Sequence, residues 1–103
     1  MISREIINEA LNKAASYPYI TRAGIFGSHA RGDATPQSDV DVLIDYDSSS
    51  DEFMDDLGNF MEEVEKIIQV KVEFVTVPGL MGSKNNWFRE EVLKDVKWVY
   101  QKK

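Results

Sequence analysis

The segment Asp39-Val40-Asp41-Val42-Leu43-Ile44-Asp45 limits the fold more than any other part of the chain. Read as an extended strand it has two faces, Val40, Val42 and Ile44 on one and Asp39, Asp41 and Leu43 on the other. An apolar strand face has to be covered, which calls for helices packed on a sheet. Asp39 and Asp41 project from one side, about 6.6 Å apart at Cα. There they repel each other and lose hydration, and aspartate is a poor strand former besides. A divalent cation resolves the conflict, because hard oxygen ligands converge on Mg²⁺ or Mn²⁺. A solvated strand face, on which two aspartates cost little, is the alternative that the segment alone leaves open.

The rest of the chain supplies the cover. Ile2, Ile6, Ile7, Ala10, Leu11 and Ala14 fall at helical spacing and predict a helix over 2–15, ended by Tyr17-Pro18. Residues 19–26 suit a strand, and 46–50 a loop. Ser49 and Glu52 fit a capping box opening a helix over 51–69, with Phe53, Leu57, Phe60 and Val64 on one stripe. Residues 71–77 read as a third strand stopped by Pro78-Gly79, 78–85 as a loop, and 86–100 as a closing helix. The expected class is α/β (α+β): a single domain, 1–103, with a small mixed sheet covered by helices. The short excursion between the first two strands leaves their mutual direction open.

Composition removes several function classes. The chain has 12 bases against 18 acids, a net charge of −6, which argues against this chain alone gripping a nucleic-acid backbone. Without cysteine there is no disulfide framework or thiolate metal site, and the single histidine, His29, excludes a His-rich zinc site. No apolar run approaches the ~20 residues of a membrane span, and the N-terminus lacks the apolar stretch of a signal peptide. The expected location is the cytoplasm.

Upstream of the aspartates, Gly27-Ser28 follows directly on the strand ending Ile25-Phe26. Glycine there permits a positive φ or the close approach of a ligand, and Ser28 suits the N-cap of a short helix over 29–32, a phosphate-friendly end. A plain strand-to-helix turn explains the same pair. Downstream, Glu73 lies between Val72 and Phe74. If its strand neighbours 39–45, three carboxylates meet at one sheet surface, enough to hold two metals ~3.5–4 Å apart for in-line nucleotidyl displacement. The alternative is a surface glutamate beside Lys71.

The string Gly27-Ser28-His29-Ala30-Arg31-Gly32, continued to Ser38-Asp39-Val40-Asp41, resembles the signature of the minimal nucleotidyltransferases of the polymerase-beta-like nucleotidyltransferase superfamily. Ten residues separate Gly-Ser from Asp-hydrophobic-Asp, as in that family, and the C-terminal Phe88–Tyr100 stretch is similar to the family's closing helix. The resemblance implies transfer of AMP from ATP to an acceptor hydroxyl. Gly27, Ser28, Arg31 and Ser38 would form the nucleotide-binding set, with Gly27 and Ser28 at the β- and γ-phosphates. Asp39, Asp41 and Glu73 would be catalytic and would ligate two Mg²⁺ ions, Mn²⁺ being possible. Small members more often carry aspartate as the third acid; this chain has the longer Glu73. An ion pair from Arg31 to Asp33 or Asp39 is the competing reading of Arg31.

Larger relatives append a helical domain. In this family small members are often paired with a HEPN-type toxin, whose tyrosine would be the acceptor, and the expected partner is such a protein or a second copy of the chain. Two alternatives are a non-catalytic antitoxin that covers its partner and a small-molecule adenylyltransferase of the aminoglycoside type. An acidic surface suits a basic, RNA-cutting partner. The remaining features are ordinary. His29 cannot form a hydrolase pair with its chain neighbour Ser28, and Arg31-Gly32-Asp33 matches an adhesion tripeptide by chance. The nine acids between Asp45 and Glu65 make a solvated helix face or a docking surface. Lys84 is a solvent-exposed loop residue or a phosphate contact, and Trp87 and Trp98 belong to core or interface.

Overall fold

The computed structural model describes residues 1–103. Its elements run α1 (Arg4–Asn12) with a 3₁₀ turn at Lys13–Ser16, β1 (Ile20–Phe26), α2 (Ser28–Arg31), β2 (Val40–Tyr46), α3 (Phe53–Ile68), β3 (Val72–Thr76), α4 (Val77–Met81), α5 (Asn86–Asp95) and β4 (Lys97–Gln101). The four strands lie in the order β3-β2-β1-β4. β1 is antiparallel to both β2 and β4. β2 and β3 are parallel, which requires a crossover, and the sixteen-residue α3 supplies it.

The two faces of β2 separate as its sequence dictates. Val40, Val42 and Ile44 join Ile7, Leu11, Phe60 and Val64 in a core between the sheet and α1 with α3. Leu43 faces the other way and packs with Phe26, Leu80 and Val92 under α4 and α5. No polar or charged residue is fully buried. Asp39 and Asp41 share the parity of Leu43, so they open toward α5 rather than into the larger core.

Three expectations need correction. The closing helix stops at Asp95 instead of running to Tyr100. Val96 takes an extended ψ of 134°, and Lys97–Gln101 pairs with the free edge of β1. Helical spacing in this stretch is outweighed by Trp98, Val99 and Tyr100, aromatic and β-branched residues that fit a pleated edge. Gly24 makes the pairing possible: a Cβ there would stand 2.7 Å from the Lys97 carbonyl oxygen and 3.0 Å from Trp98 Cε3. The second correction is at Val77–Met81, expected as the end of the third strand and the start of the loop and found as a short helix. Thr76 caps this turn by accepting from the Gly79 N–H at 3.1 Å, and Pro78 is tolerated in the first turn, where no N–H is needed. Third, Ser49 and Glu52 form no capping box. The Ser49 N–H donates to Asp47 Oδ1, the Glu52 N–H to Ser50 Oγ, and α3 starts at Phe53 without a side-chain cap.

Candidate active site

The site grows from the end of β1. After Phe26 the chain reverses at Gly27, which has φ 71° and ψ −152° and caps α2. Gly27, not Ser28, is therefore the N-cap, and Ser28 is the first helical residue. No side chain fits at position 27, because a Cβ would run into Asp41 Oδ2. The Ala30 and Arg31 N–H groups both donate to the Gly27 carbonyl at 3.0 Å, which closes the turn beside that carboxylate. α2 ends at Gly32, with φ 89°. Arg4 of α1 steadies it from behind by donating to the His29 carbonyl at 3.3 Å.

Across the sheet, Phe26 is opposite Asp41, and Asp41 is opposite Glu73 in the parallel β2–β3 register. Paired residues in adjacent strands share a face. Glu73 thus lies on the same face as Asp39 and Asp41, while its neighbours Val72 and Phe74 pack against the larger core. As the side chains lie, no three carboxylates close on a common point. The Lys71 ammonium lies 3.7 Å from Asp39 and 3.4 Å from Glu73 and offsets part of their mutual repulsion. Asp41, further in, has no such partner. Burial, then Glu73, then Asp39 raise its carboxyl to about 6, partly offset by Arg31. A half-buried acid that resists ionisation among other acids is a donor set that a divalent cation would satisfy.

Arg31 bridges two acids. It donates to Asp33 at 3.2 Å and to Asp95 of α5 at 2.7 Å. The first was an expected partner; Asp39 was the other candidate and is not one, and Asp95 takes its place. Asp95 is well shielded, with 8% side-chain exposure. Ser38 stands apart: its hydroxyl accepts from the Thr35 N–H at 2.9 Å and closes the turn before β2.

A cavity of about 330 Å³ opens over these groups. One wall is Phe26, Gly27, Ser28, Arg31 and Asp41, and the other is Trp87, Phe88, Glu91, Val92 and Asp95 of α5. Asp39, Glu73 and Ser38 lie outside its lining. The α5 wall was not read from the sequence as part of the site. Its signal was present in the spacing of 87, 91 and 95, one helix face leading away from the core residues 88 and 92. A second concavity of about 350 Å³, lined by Tyr17, Asn59, Glu62, Glu63 and Lys66, holds none of the motif residues.

A mixed sheet carrying a glycine turn at the end of one strand, against an acid pair on the next, defines a nucleotidyltransferase. The profile of the nucleotidyltransferase domain family matches residues 4–99, and the chain belongs to that family. Two proteins of Methanocaldococcus jannaschii, each provisionally named a protein adenylyltransferase, are similar to it. One is 28% identical over 75 residues, 73% of this chain and 72% of its own. The other is 35% identical over 77 residues, 74% of each. Among solved structures, a protein described provisionally as a minimal nucleotidyltransferase superposes with a TM-score of 0.67 at 26% identity, covering 91% of this chain and 89% of that one. A toxin–antitoxin structure with AMP-PNP shares the fold, with a TM-score of 0.64 at 16% identity over 99% of this chain and 76% of that one. No helix is long and apolar enough to cross a membrane.

Proposed function

We propose that this nucleotidyltransferase transfers AMP from ATP to a hydroxyl of a partner protein, a tyrosine of a HEPN-type toxin. The observation that carries the reading is the Asp41–Glu73 register beside the Gly27 turn. It sets a glycine turn with no side chain against a face of carboxylates, the two surfaces that a metal-bound triphosphate needs. The names of the M. jannaschii relatives support a protein acceptor, and the AMP-PNP toxin–antitoxin structure supports both the nucleotide and the setting.

In this reaction the acceptor oxygen attacks the α-phosphorus of ATP. A new P–O bond forms, the bond to the β-phosphate oxygen breaks, and pyrophosphate leaves. Gly27 and Ser28 hold the β- and γ-phosphates, and Arg31 exchanges part of its pairing with Asp95 for triphosphate oxygens. Asp39, Asp41 and Glu73 would hold the Mg²⁺ ions, which when bound neutralise triphosphate charge and activate the acceptor hydroxyl. Glu73, the most exposed of the three acids, takes the acceptor proton. Lys71 leaves Asp39 and Glu73 when the site fills. The chain's acidity suits a basic partner.

The test is to incubate the chain with α-phosphate-labelled ATP, Mg²⁺ and the protein encoded beside it. Label should reach a tyrosine of that protein with wild type and not with Asp41→Asn. Protection of cells by Asp41→Asn equal to wild type, with no label transferred, would replace this reading by an antitoxin that acts only by covering its partner.

A further inference from the structure

The two walls of the cavity beside Asp41 differ in chemistry. The motif wall carries Ser28, Arg31 and Asp41 around the Gly27 turn. The facing wall is one side of α5, and its start is held firmly. Asn85 caps the helix by accepting from the Phe88 N–H at 3.0 Å, and Arg89 donates to the Ser83 carbonyl at 2.8 Å. Phe88 meets Phe26 edge-on, with centroids 6.3 Å apart, which fixes α5 to the end of β1 next to Gly27.

Trp87 adjoins that anchor, lines the cavity and is 70% exposed. A large flat apolar ring on a fixed backbone, open at a cavity rim, lacks a partner within the chain. One turn further on the same face, Glu91 also lines the cavity, is half-buried and makes no ion pair. An aromatic face followed by a lone acceptor is complementary to a ring that carries an amino group.

We propose that α5 is the nucleobase wall of the site, where the adenine of ATP stacks on Trp87 and the Glu91 carboxylate accepts a hydrogen bond from its exocyclic amine. This rests on the reading that the Gly27–Asp41 end takes the triphosphate. Stacking on an aromatic side chain tolerates any base, so Trp87 supplies affinity. Glu91 supplies choice: adenine presents an amino donor at C6, whereas guanine presents a carbonyl oxygen that a carboxylate repels.

The test is equilibrium binding, with Mg²⁺, of ATP, GTP and inorganic tripolyphosphate to wild type, Trp87→Ala, Trp87→Phe and Glu91→Gln. Trp87→Ala should weaken ATP roughly 5- to 150-fold and leave tripolyphosphate unchanged, which also reports an intact fold. Trp87→Phe should keep most of the affinity, and Glu91→Gln should narrow the ATP-to-GTP ratio. If Trp87→Ala binds ATP like wild type while tripolyphosphate still binds, the nucleobase wall is overturned and the triphosphate site stands. Loss of partner capture by Trp87→Ala with ATP affinity intact overturns it too and gives the wall to the acceptor protein. An unchanged ATP-to-GTP ratio in Glu91→Gln removes Glu91 from the proposal. If wild type binds neither ATP nor tripolyphosphate, the nucleotidyl-transfer reading itself fails.

Discussion

Gly27 and Asp41 face each other across the β1–β2 pair so closely that a single added methyl at Gly27 would collide with Asp41 Oδ2. Two demands coincide at this glycine, a φ of 71° that L side chains rarely adopt and open space beside a carboxylate. Gly32 separates them. It has φ 89°, and a Cβ there would meet nothing within 4 Å. Gly32→Ala should therefore cost only backbone strain, about 1–2 kcal/mol, and leave nucleotidyl transfer within a few-fold of wild type. Gly27→Ala should cost a similar or larger amount in thermal melts and also displace Asp41, lowering transfer by about 100-fold. Equal activities for the two variants would show that Gly27 does not position Asp41.

Asp41 predicts a pH dependence whose sign is fixed. Burial, Glu73 and Asp39 push its carboxyl up to about 6. An acid whose folded value exceeds its unfolded value contributes stability below the unfolded value, 3.8, and loses it as pH rises through about 6. In chelator, wild type should therefore weaken relative to Asp41→Asn between pH 4 and 7, by about 1–2 kcal/mol after allowing for solvent screening. Mg²⁺ at pH 7 should restore wild type and leave Asp41→Asn unmoved. Parallel melting curves at every pH, with and without Mg²⁺, would remove the argument for a cation at this acid.

The strands around the site were legible because their signals are local. Alternation set the faces of β2, and parity put Asp39 and Asp41 opposite Val40, Val42 and Ile44. Whether Glu73 lay beside them depended on strand order, a non-local property that only the β2–β3 pairing decides. β4 was hidden for a related reason. Residues 96–100 fit helical spacing, and the free edge of β1 that draws them into the sheet is more than seventy positions away. The α5 wall was partly visible, since a helix starting at 86 was read. That Trp87 and Glu91 border the Gly27 turn follows from the Phe26–Phe88 contact, which no window of sequence contains.

Gly24 gives a prediction about the fold alone. Its missing Cβ lets Trp98 cross β1 closely, with Arg22 stacked 4.0 Å above the indole and paired to Asp45 at 2.9 Å. Gly24→Ala should force β4 outward, costing about 1–3 kcal/mol by overpacking. Trp98 emission should shift to the red while ATP affinity, measured well below the melt, stays near wild type. A melt unchanged from wild type would mean that β4 does not depend on this close crossing.

Tyr17 offers the last test, on the far side of the molecule. Its hydroxyl donates to Glu63 Oε1 at 2.7 Å, and its ring packs tilted against Phe60 at 5.8 Å, tying the end of the 3₁₀ turn to α3. The hydrogen bond to Glu63, then burial, push the phenol up to about 12. The sign follows as before: the protonated phenol is favoured in the fold, so this stability is complete below pH 10 and lost as pH rises through about 12. Absorbance titration near 295 nm should show a late component that Tyr17→Phe deletes and Glu63→Gln moves to lower pH. If Glu63→Gln leaves that component where it was, the carboxylate is not what holds the proton, and burial against Phe60 must account for the shift.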